Sequence, residues 1–310
     1  MPGSAVHKAL LAGLLLICCL PIVSAPMALT AGLVFGLVIG NPWKTTTSTW
    51  SRRLLQASVV GLGFGINLPV ILKISKDAFF YTVISISFTM LAGWLSGRLF
   101  KTPQRTSMLI SFGTAICGGS AIAAMAPVIK AESEETGVAL ATVFTLNSIA
   151  LILFPPLGNL LGMGQQQFGL WSALAIHDTS SVVGAAAAYG GLALAVGTTV
   201  KLTRALWIMP SVLLAAWFAK SERKVPFPLF IIGFLFAAAI KTVLPQLDLI
   251  WHPLNCIARQ SLVVTLFLIG SGLSREVLAR TGIKPLAHGI VLWIIVSVAS
   301  AAAILSGWIS

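Results

Sequence analysis

Charged residues are scarce in this chain, at 9% of its 310 residues. A soluble globular domain carries about 25% charged residues. No polar stretch is long enough to form a separate soluble domain, whereas apolar stretches of about 20 residues recur along the sequence. The scarcity of charge excludes a soluble protein. It predicts an all-α polytopic membrane protein with a single transmembrane domain over residues 1–310.

Carboxylates are the rarest charged groups, with eight Asp and Glu against 20 Lys and Arg and a net charge of +12. In a soluble protein this excess would suggest a nucleic-acid partner, but the sequence has no nucleic-acid-binding motif. The cations cluster in short loops, as the positive-inside rule expects when the N-terminus is cytoplasmic. We therefore expect a lipid bilayer as partner and no nucleic acid.

Signatures of catalysis and of metal binding are also lacking. The sequence contains no HExxH, GxSxG or GxxxxGK[ST] motif, so we expect neither a common hydrolase nor ATP-driven transport. We predict no cofactor and no metal ion. Four cysteines lack CxxC spacing and are predicted to be small packing residues: Cys18, Cys19, Cys117 and Cys256.

The apolar stretches predict about ten or eleven membrane crossings. The candidates are 9–23, 27–40, 54–72, 78–98, 106–129, 136–158, 168–198, 203–219, 228–246, 255–273 and 285–309. The stretch 168–198 is long enough for a broken helix or a tight helical pair. Lys201 and Arg204 fall on the wrong side of this topology. Either the count of crossings near residue 190 is off, or these cations have another role, such as contact with an anionic substrate.

The segment 1–25 allows two interpretations. His7 and Lys8 precede an apolar run, and Val23-Ser24-Ala25 resembles a signal-peptidase site. Cleavage there would leave Pro26 as the first residue, where such peptidases act poorly. We favour an uncleaved extra N-terminal helix over a signal peptide.

Two internal similarities predict repeats. The segment 52–72 aligns with the segment from Arg259 onward, at an offset of 207 (259 − 52), and the two copies cross in opposite directions. Such inverted repeats, here 27–160 and 168–309, are typical of secondary transporters. A second similarity joins 115–120 to 175–180 at an offset of 60 (175 − 115). Simple alternation of crossings makes those two segments parallel, unless the chain turns back inside 168–198.

His177 and Asp178 lie deep inside the apolar stretch 168–189. A charge at mid-bilayer costs about 2.5–3.5 kcal/mol on insertion scales, so such a residue usually faces a polar cavity. Neighbours on a regular helix point about 100° apart, so either the helix unwinds here or one of the two pairs within the bundle. We predict that His177 and Asp178 carry a coupling ion, with Thr179 and Ser180 lining the substrate site. The alternative is a polar contact without a transport role.

The glycine-rich segment 113–121 predicts a second irregularity. A glycine costs about 1 kcal/mol in a helix interior, so the adjacent Gly118 and Gly119 favour unwinding. The N–H groups exposed at a broken helix bind anions, although close helix packing explains the same small residues. The predicted substrate-binding residues here are Thr114, Gly118, Gly119 and Ser120, together with Asn147 from the next span.

These motifs resemble those of the YeiH-like sulfate exporter family of bacterial inner-membrane proteins. The resemblance is strongest in Ala115–Ala124 with Pro127–Glu132 and in Ile176–Ala186. Leu62–Leu68 and Gly270–Leu273 with Gly282–Leu286 add to it. It covers most of the chain after about residue 27, in the same order. The resemblance implies an inverted-repeat transporter akin to sodium/proton antiporters and bile-acid symporters.

From these observations we predict a secondary active transporter of a small anion, of the sulfate or organic sulfonate class. Transport is expected to be coupled to H⁺ or Na⁺, with export favoured over import, in the bacterial inner membrane. A homo-oligomer is compatible with the sequence. The alternatives are a passive anion channel, an intramembrane enzyme that uses His177 with Asp178 or Cys117, and a membrane receptor or partner subunit.

Overall fold

The computed structural model describes residues 5–219, 229–272 and 282–309, and in these ranges the chain is α-helical with no strand. The helices are α1 Ala5–Cys18, α2 Ala25–Val34, α3 Lys44–Gly63, α4 Leu68–Leu99, α5 Gln104–Ala115, α6 Gly119–Met125, α7 Ser133–Leu160, α8 Gln165–Ala175, α9 Thr179–Tyr189, α10 Gly191–Leu206, α11 Ile208–Ala219, α12 Leu229–Val243, α13 Asp248–Gly272 and α14 Ile283–Leu305. A π-helical turn, Phe35–Ile39, extends α2, and a 3₁₀ turn, Pro245–Leu247, precedes α13.

The prediction of an all-α polytopic membrane protein is confirmed. Within the described residues, five helices are long and apolar enough to cross a membrane: Ala78–Leu99, Glu134–Leu160, Gly191–Trp217, Pro245–Gly272 and Ile283–Leu305. Counting the bent pair Lys44–Gly63 and Leu68–Lys76 as one span gives up to six. The higher predicted number arises because several apolar stretches form short or broken helices. Five of the cations that the positive-inside rule assigns to cytoplasmic loops lie outside the described residues: Lys220, Arg223, Lys224, Arg275 and Arg280.

The chain divides into two compact units, and each draws on both predicted repeat regions. Unit 1 comprises Met1–Lys73 and Pro228–Glu276, and unit 2 comprises Ile74–Phe227 and Val277–Ser310. In unit 1, α13 packs against α1, α2 and α3, and α12 packs against α3. The segment 52–72 and the described part of its counterpart, 259–272, therefore both lie in unit 1. A common origin for them stays a prediction.

Glycines let the helices of unit 1 approach closely. A methyl group on Gly270 of α13 would lie 2.7 Å from the carbonyl oxygen of Leu29 in α2. A methyl group on Gly63 of α3 would lie 2.5 Å from the carbonyl oxygen of Phe234 in α12. Close backbone approach through small residues is a common way for helices to associate in membranes. The N-terminal helix joins this unit, because Gln260 of α13 donates to the carbonyl oxygen of Cys18 at 2.7 Å.

In unit 2, the helices α8 and α9 form a hairpin beside α7. Phe168 and Tyr189, from opposite ends of the pair, stack with ring centroids 3.8 Å apart. A methyl group on Gly158, near the end of α7, would lie 3.0 Å from the Tyr189 ring. The turn between the two helices instead contacts Asn147, at the middle of α7. The chain therefore turns back inside the stretch 168–198.

The helices α5 and α6 form a second hairpin, which approaches from the other end of α7. Arg105, at the start of α5, pairs with Glu135 in the first turn of α7 at 3.9 Å. The start of α6 lies further along α7, because a methyl group on Gly119 would meet the Phe144 ring at 2.7 Å. Since α7 begins at Ser133, α6 must run back toward the end where α5 began. The segments 115–120 and 175–180 thus approach along α7 from opposite ends, and the parallel arrangement expected from simple alternation is wrong.

Candidate functional site

The site lies where the tips of the two hairpins meet. The helix α5 ends at Ala115 and α6 begins at Gly119, whereas α8 ends at Ala175 and α9 begins at Thr179. Both breaks therefore occur at the predicted irregularities, 60 residues apart (179 − 119). A methyl group on Gly118 would lie 3.4 Å from the Cα of Asp178, so the tips are in contact.

Glycine is required at position 118 for a conformational reason. Its φ of +65° lies in the left-handed region, which L-residues with a side chain seldom adopt. The N–H of Gly118 donates to the carbonyl oxygen of Gly113 at 2.8 Å, which closes the end of α5. Gly118 therefore turns the chain from α5 into α6, and it lies in van der Waals contact with Asp178 of the other tip.

Asn147 holds the tip of the α8–α9 hairpin. Its Oδ1 accepts from the backbone N–H of His177 at 3.1 Å and from that of Asp178 at 3.3 Å. The side chain is 3% exposed. Non-helical backbone at membrane depth needs such partners inside the protein. The structure thus gives Asn147 a supporting contact, while its predicted role in substrate binding stays a prediction.

Asp178 caps the start of α9. Its Oδ2 accepts from the N–H groups of Ser180 at 3.0 Å and Ser181 at 3.4 Å, and from the Ser180 hydroxyl. Asp is among the preferred N-cap residues because its oxygen satisfies the unpaired N–H groups of the first turn. The run of Asp178, Thr179 and Ser180 could have located this helix start from the sequence, since it is a capping signal.

The predicted site residues divide into an accessible set and a buried set. Ser120 is exposed, and Gly119, Asp178, Thr179 and Ser180 are half-buried. The buried residues are Thr114, Asn147, Gly118 and His177. His177 is 1% exposed, and neither of its ring nitrogens has a hydrogen-bond partner among the residues the structure describes. An enzyme that used His177 as its base would need a hydrogen bond between the imidazole ring and a nucleophile, and the described residues supply none.

Two cations lie buried behind the tips, and the sequence alone predicts no structural role for them. Arg204 donates to the carbonyl oxygens of Ala115 and Leu174, both at 2.6 Å, and to that of Ala173 at 3.2 Å. Lys201 donates to the carbonyl oxygens of Ile176 at 2.7 Å and Ala173 at 3.3 Å. Both side chains are 0% exposed and lie near the middle of the span Gly191–Trp217.

These bonds place positive charge at the ends of α5 and α8, where the helix dipole is negative and the last carbonyl groups lack helical partners. Lys201 and Arg204 therefore stabilise both breaks from one helix, α10.

Residues 8–289 match a family model described as conserved hypothetical protein 698. The chain belongs to this family. The chain is 56% identical to a UPF0324 membrane protein of Geobacter sulfurreducens, over 99% of both chains. It is 51% identical to a UPF0324 membrane protein of Bdellovibrio bacteriovorus, over 95% of this chain and 93% of the relative. The resemblance to the YeiH-like family is confirmed, because it is the same family. No solved structure matches the chain.

In this UPF0324 protein, the charges around the tips are unequal in number. Lys201 and Arg204 are cations, and Asp178 is the carboxylate with which Lys201 interacts electrostatically. Cys117 lies in the same electrostatic environment, since it interacts with all three groups. Among the described residues, the tips thus carry two cations and one carboxylate.

Proposed function

We propose that this protein is a secondary active transporter of a small anion of the sulfate or organic sulfonate class. In this proposal the protein lies in the bacterial inner membrane with a cytoplasmic N-terminus. Its transport is coupled to H⁺ or Na⁺, and export is favoured over import. The observation that carries the proposal is the meeting of two broken-helix hairpins at the middle of α7, with half-buried polar residues at their tips.

The location of the tips supports transport. Asn147, which contacts one tip, lies at the middle of the candidate span Glu134–Leu160. Irregular backbone at that depth is tolerated only where protein or a water-filled cavity surrounds it. Secondary transporters commonly bind substrate near the bilayer midplane, beside discontinuous helices. The accessible residues Ser120, Thr179 and Ser180 offer hydroxyl groups to such a substrate.

The balance of charge supports an anion over a cation. Lys201 and Arg204 are fully buried and donate to the backbone at the breaks, Lys201 to the carbonyl oxygen of Ile176 and Arg204 to that of Ala115. An uncompensated charge in a medium of low dielectric constant is costly, so a ligand of opposite sign is favoured there. A cationic substrate would add to an existing positive excess. Asp178 is half-buried, and it is the group we assign to coupling, with His177 behind it.

Flux measurements in liposomes test the proposal. The full chain is reconstituted, and uptake of labelled sulfate and methanesulfonate is followed with imposed pH or Na⁺ gradients. We expect saturable uptake that is driven by one of the gradients. Ser120→Val should reduce uptake, whereas Ser306→Val, at an exposed position beyond α14, should not.

Other outcomes would contradict the proposal in distinct ways. Uptake that neither saturates nor responds to a gradient would indicate a passive channel. Conversion of an added compound by the solubilised protein, lost in His177→Ala, would indicate an enzyme. Uptake no faster than in protein-free liposomes for both anions would refute anion transport of this class.

A further inference from the structure

We infer that the polar first half of α3, residues 44–53, binds the phosphate group of an anionic phospholipid at the membrane surface. The site is a groove formed by residues of unit 1, and none of these residues belongs to the hairpin tips. The inference is independent of the proposed transport, because it assigns a ligand to side chains that the proposed function does not use.

The groove has a volume of about 360 Å³ and lies along the first turns of α3. It is lined by three hydroxyl side chains and one guanidinium group: Thr45, Ser48, Thr49 and Arg53. Residues three and four apart on a helix are neighbours on its surface, so these side chains form one continuous face. All four residues are exposed. The groove therefore presents polar donors to the surroundings of the protein.

The opposite face of the same segment is fixed inside unit 1. Thr47 and Ser51 are only 5% and 7% exposed. Asn41 donates to the Thr47 hydroxyl at 2.8 Å and to the hydroxyl of Ser271, in the last turn of α13, at 3.1 Å. These contacts set the rotation of α3 about its axis, and they keep the face that lines the groove turned outward.

The side chains of the groove have the chemistry of a phosphate site. A guanidinium group donates two parallel hydrogen bonds to phosphate oxygens, and hydroxyl groups donate one each. Arg53 forms no ion pair with any residue that the structure describes. The Thr49 hydroxyl already donates to the carbonyl oxygen of Thr45, at 3.1 Å. The donors for a ligand are therefore Arg53 and the hydroxyl groups of Thr45 and Ser48.

The charges around the groove favour an anion. Lys44, Arg52 and Arg53 lie within ten residues of sequence. Asp248 is the one carboxylate in the described part of unit 1, and it lies at the start of α13. The groove is near the other end of α13, where Ser271 lies about 35 Å from Asp248 along the helix. A negatively charged ligand thus meets cations here and no nearby carboxylate among the described residues of this unit.

The position of the groove along α3 indicates a lipid as the source of the phosphate. The apolar stretch 54–72 begins directly after Arg53, so the groove lies where the chain enters the membrane. Trp50 is 57% exposed, and the Arg53 guanidinium lies over its ring at 6.0 Å. Tryptophan is enriched at the level of the lipid headgroups, and basic residues next to a membrane span attract anionic lipids. The acyl chains of the same lipid can contact the apolar second half of α3.

Competition binding on the purified full chain tests the inference. A fluorescent phosphatidylglycerol is titrated onto the protein in a non-ionic detergent. Unlabelled short-chain phosphatidylglycerol, phosphatidylcholine of the same chain length and inorganic phosphate are then added as competitors. We expect saturable binding that phosphatidylglycerol displaces most effectively. Phosphatidylcholine should compete more weakly because its headgroup carries a positive charge. Inorganic phosphate at the same concentration should not compete, because it has no acyl chains.

Two variants remove the donors of the groove. Arg53→Gln should raise the dissociation constant for phosphatidylglycerol about fivefold. The double variant Thr45→Val with Ser48→Ala keeps every charge and should also weaken binding, and it provides the test if Arg53→Gln does not fold. Arg98→Gln is the matched control, since Arg98 is exposed and lies over the Trp94 ring at 5.0 Å but does not line the groove. This control should bind as tightly as the unmodified chain.

Three results would overturn the inference. Equal weakening in Arg53→Gln and Arg98→Gln would show attraction to surface charge in general. Displacement by inorganic phosphate as effective as that by phosphatidylglycerol would show a site for free phosphate. Unchanged affinity in both groove variants would show that the lipid binds elsewhere on the protein.

Discussion

Replacing Arg204 by methionine should destabilise the protein strongly, although Arg204 makes no ion pair in the described structure. Its guanidinium group donates to carbonyl oxygens at the ends of both α5 and α8. Methionine fills a similar volume but donates no hydrogen bond. The variant therefore leaves the carbonyl groups at two helix ends without the partner that satisfies them, at the middle of a membrane span.

The size of the effect follows from the two short bonds, to Ala115 and Leu174, both 2.6 Å long. A hydrogen bond from a charged group contributes about 1.5–3 kcal/mol, so two contribute about 3–6 kcal/mol. Part of this is offset, because methionine avoids the several kcal/mol that a buried cation costs. We expect a net loss of about 3 kcal/mol. For a unit of this size, that loss lowers the midpoint of thermal unfolding by about 6–12 °C.

Thermal unfolding in detergent measures the loss. Arg98→Met is the control, because Arg98 is exposed and lies over the Trp94 ring of the same helix at 5.0 Å. The control should move the midpoint by about 2 °C or less. Labelling of the buried Cys117 by a thiol reagent should also be faster in Arg204→Met, since the tip is no longer anchored. A midpoint within about 2 °C of the unmodified chain, with unchanged labelling, would refute the assignment of Arg204 as the anchor of both breaks.

Substitutions at three positions, each with a matched control, test the tips. Asp178→Ala should cost about 1 kcal/mol in unfolding free energy through loss of the N-cap, and Asp178→Asn little; equal losses would contradict the capping role. Asn147→Ala removes the acceptor of two N–H groups, one of the buried His177 and one of the half-buried Asp178, and should cost about 2–4 kcal/mol by thermal unfolding. Asn159→Ala, exposed on the same helix, should cost little. Gly118→Ala should destabilise by about 1–3 kcal/mol because of its positive φ. Gly137→Ala, at a helical position with open space, should stabilise by about 1 kcal/mol, and the same sign for both glycine variants would refute the argument.

The structure also changes how one obvious variant should be interpreted. Gly119→Leu is the natural test of substrate binding from the sequence, since Gly119 follows the break. Its methyl position, however, would meet the Phe144 ring at 2.7 Å. A larger side chain there disrupts the contact between α6 and α7, so loss of transport in that variant would report on packing. Ser120, which is exposed, is the better position for testing binding.

Composition and local pattern were sufficient to predict the class of fold and the positions of both breaks. The scarcity of charge decides the membrane class on its own. The adjacent Gly118 and Gly119 weaken one helix, and the polar pair His177 and Asp178 interrupts another. Each of these signals acts within a few residues of the feature it predicts. That is why they can be read from one sequence.

The direction of the hairpins could not be predicted in the same way. Apolar length alone does not distinguish a helix that crosses the membrane from two short helices that turn back, since both satisfy the same hydropathy. The sequence predicts a single crossing over 106–129, whereas this stretch forms most of α5, all of α6 and the turns that lead back toward α7. The distinguishing contacts, such as Arg105 with Glu135, join residues far apart in sequence.

The role of Lys201 and Arg204 as donors to both breaks also has a signal in the sequence. Two helices that break at mid-membrane expose carbonyl groups which neither water nor lipid can satisfy. Once both breaks are predicted, donors must come from elsewhere in the chain, and cations that interrupt an apolar span are the natural candidates. Because these two residues are spaced three apart on a helix, they share one face and can reach both breaks together. The departure of Lys201 and Arg204 from the positive-inside rule is therefore the sequence signal for the two residues that hold both helix breaks.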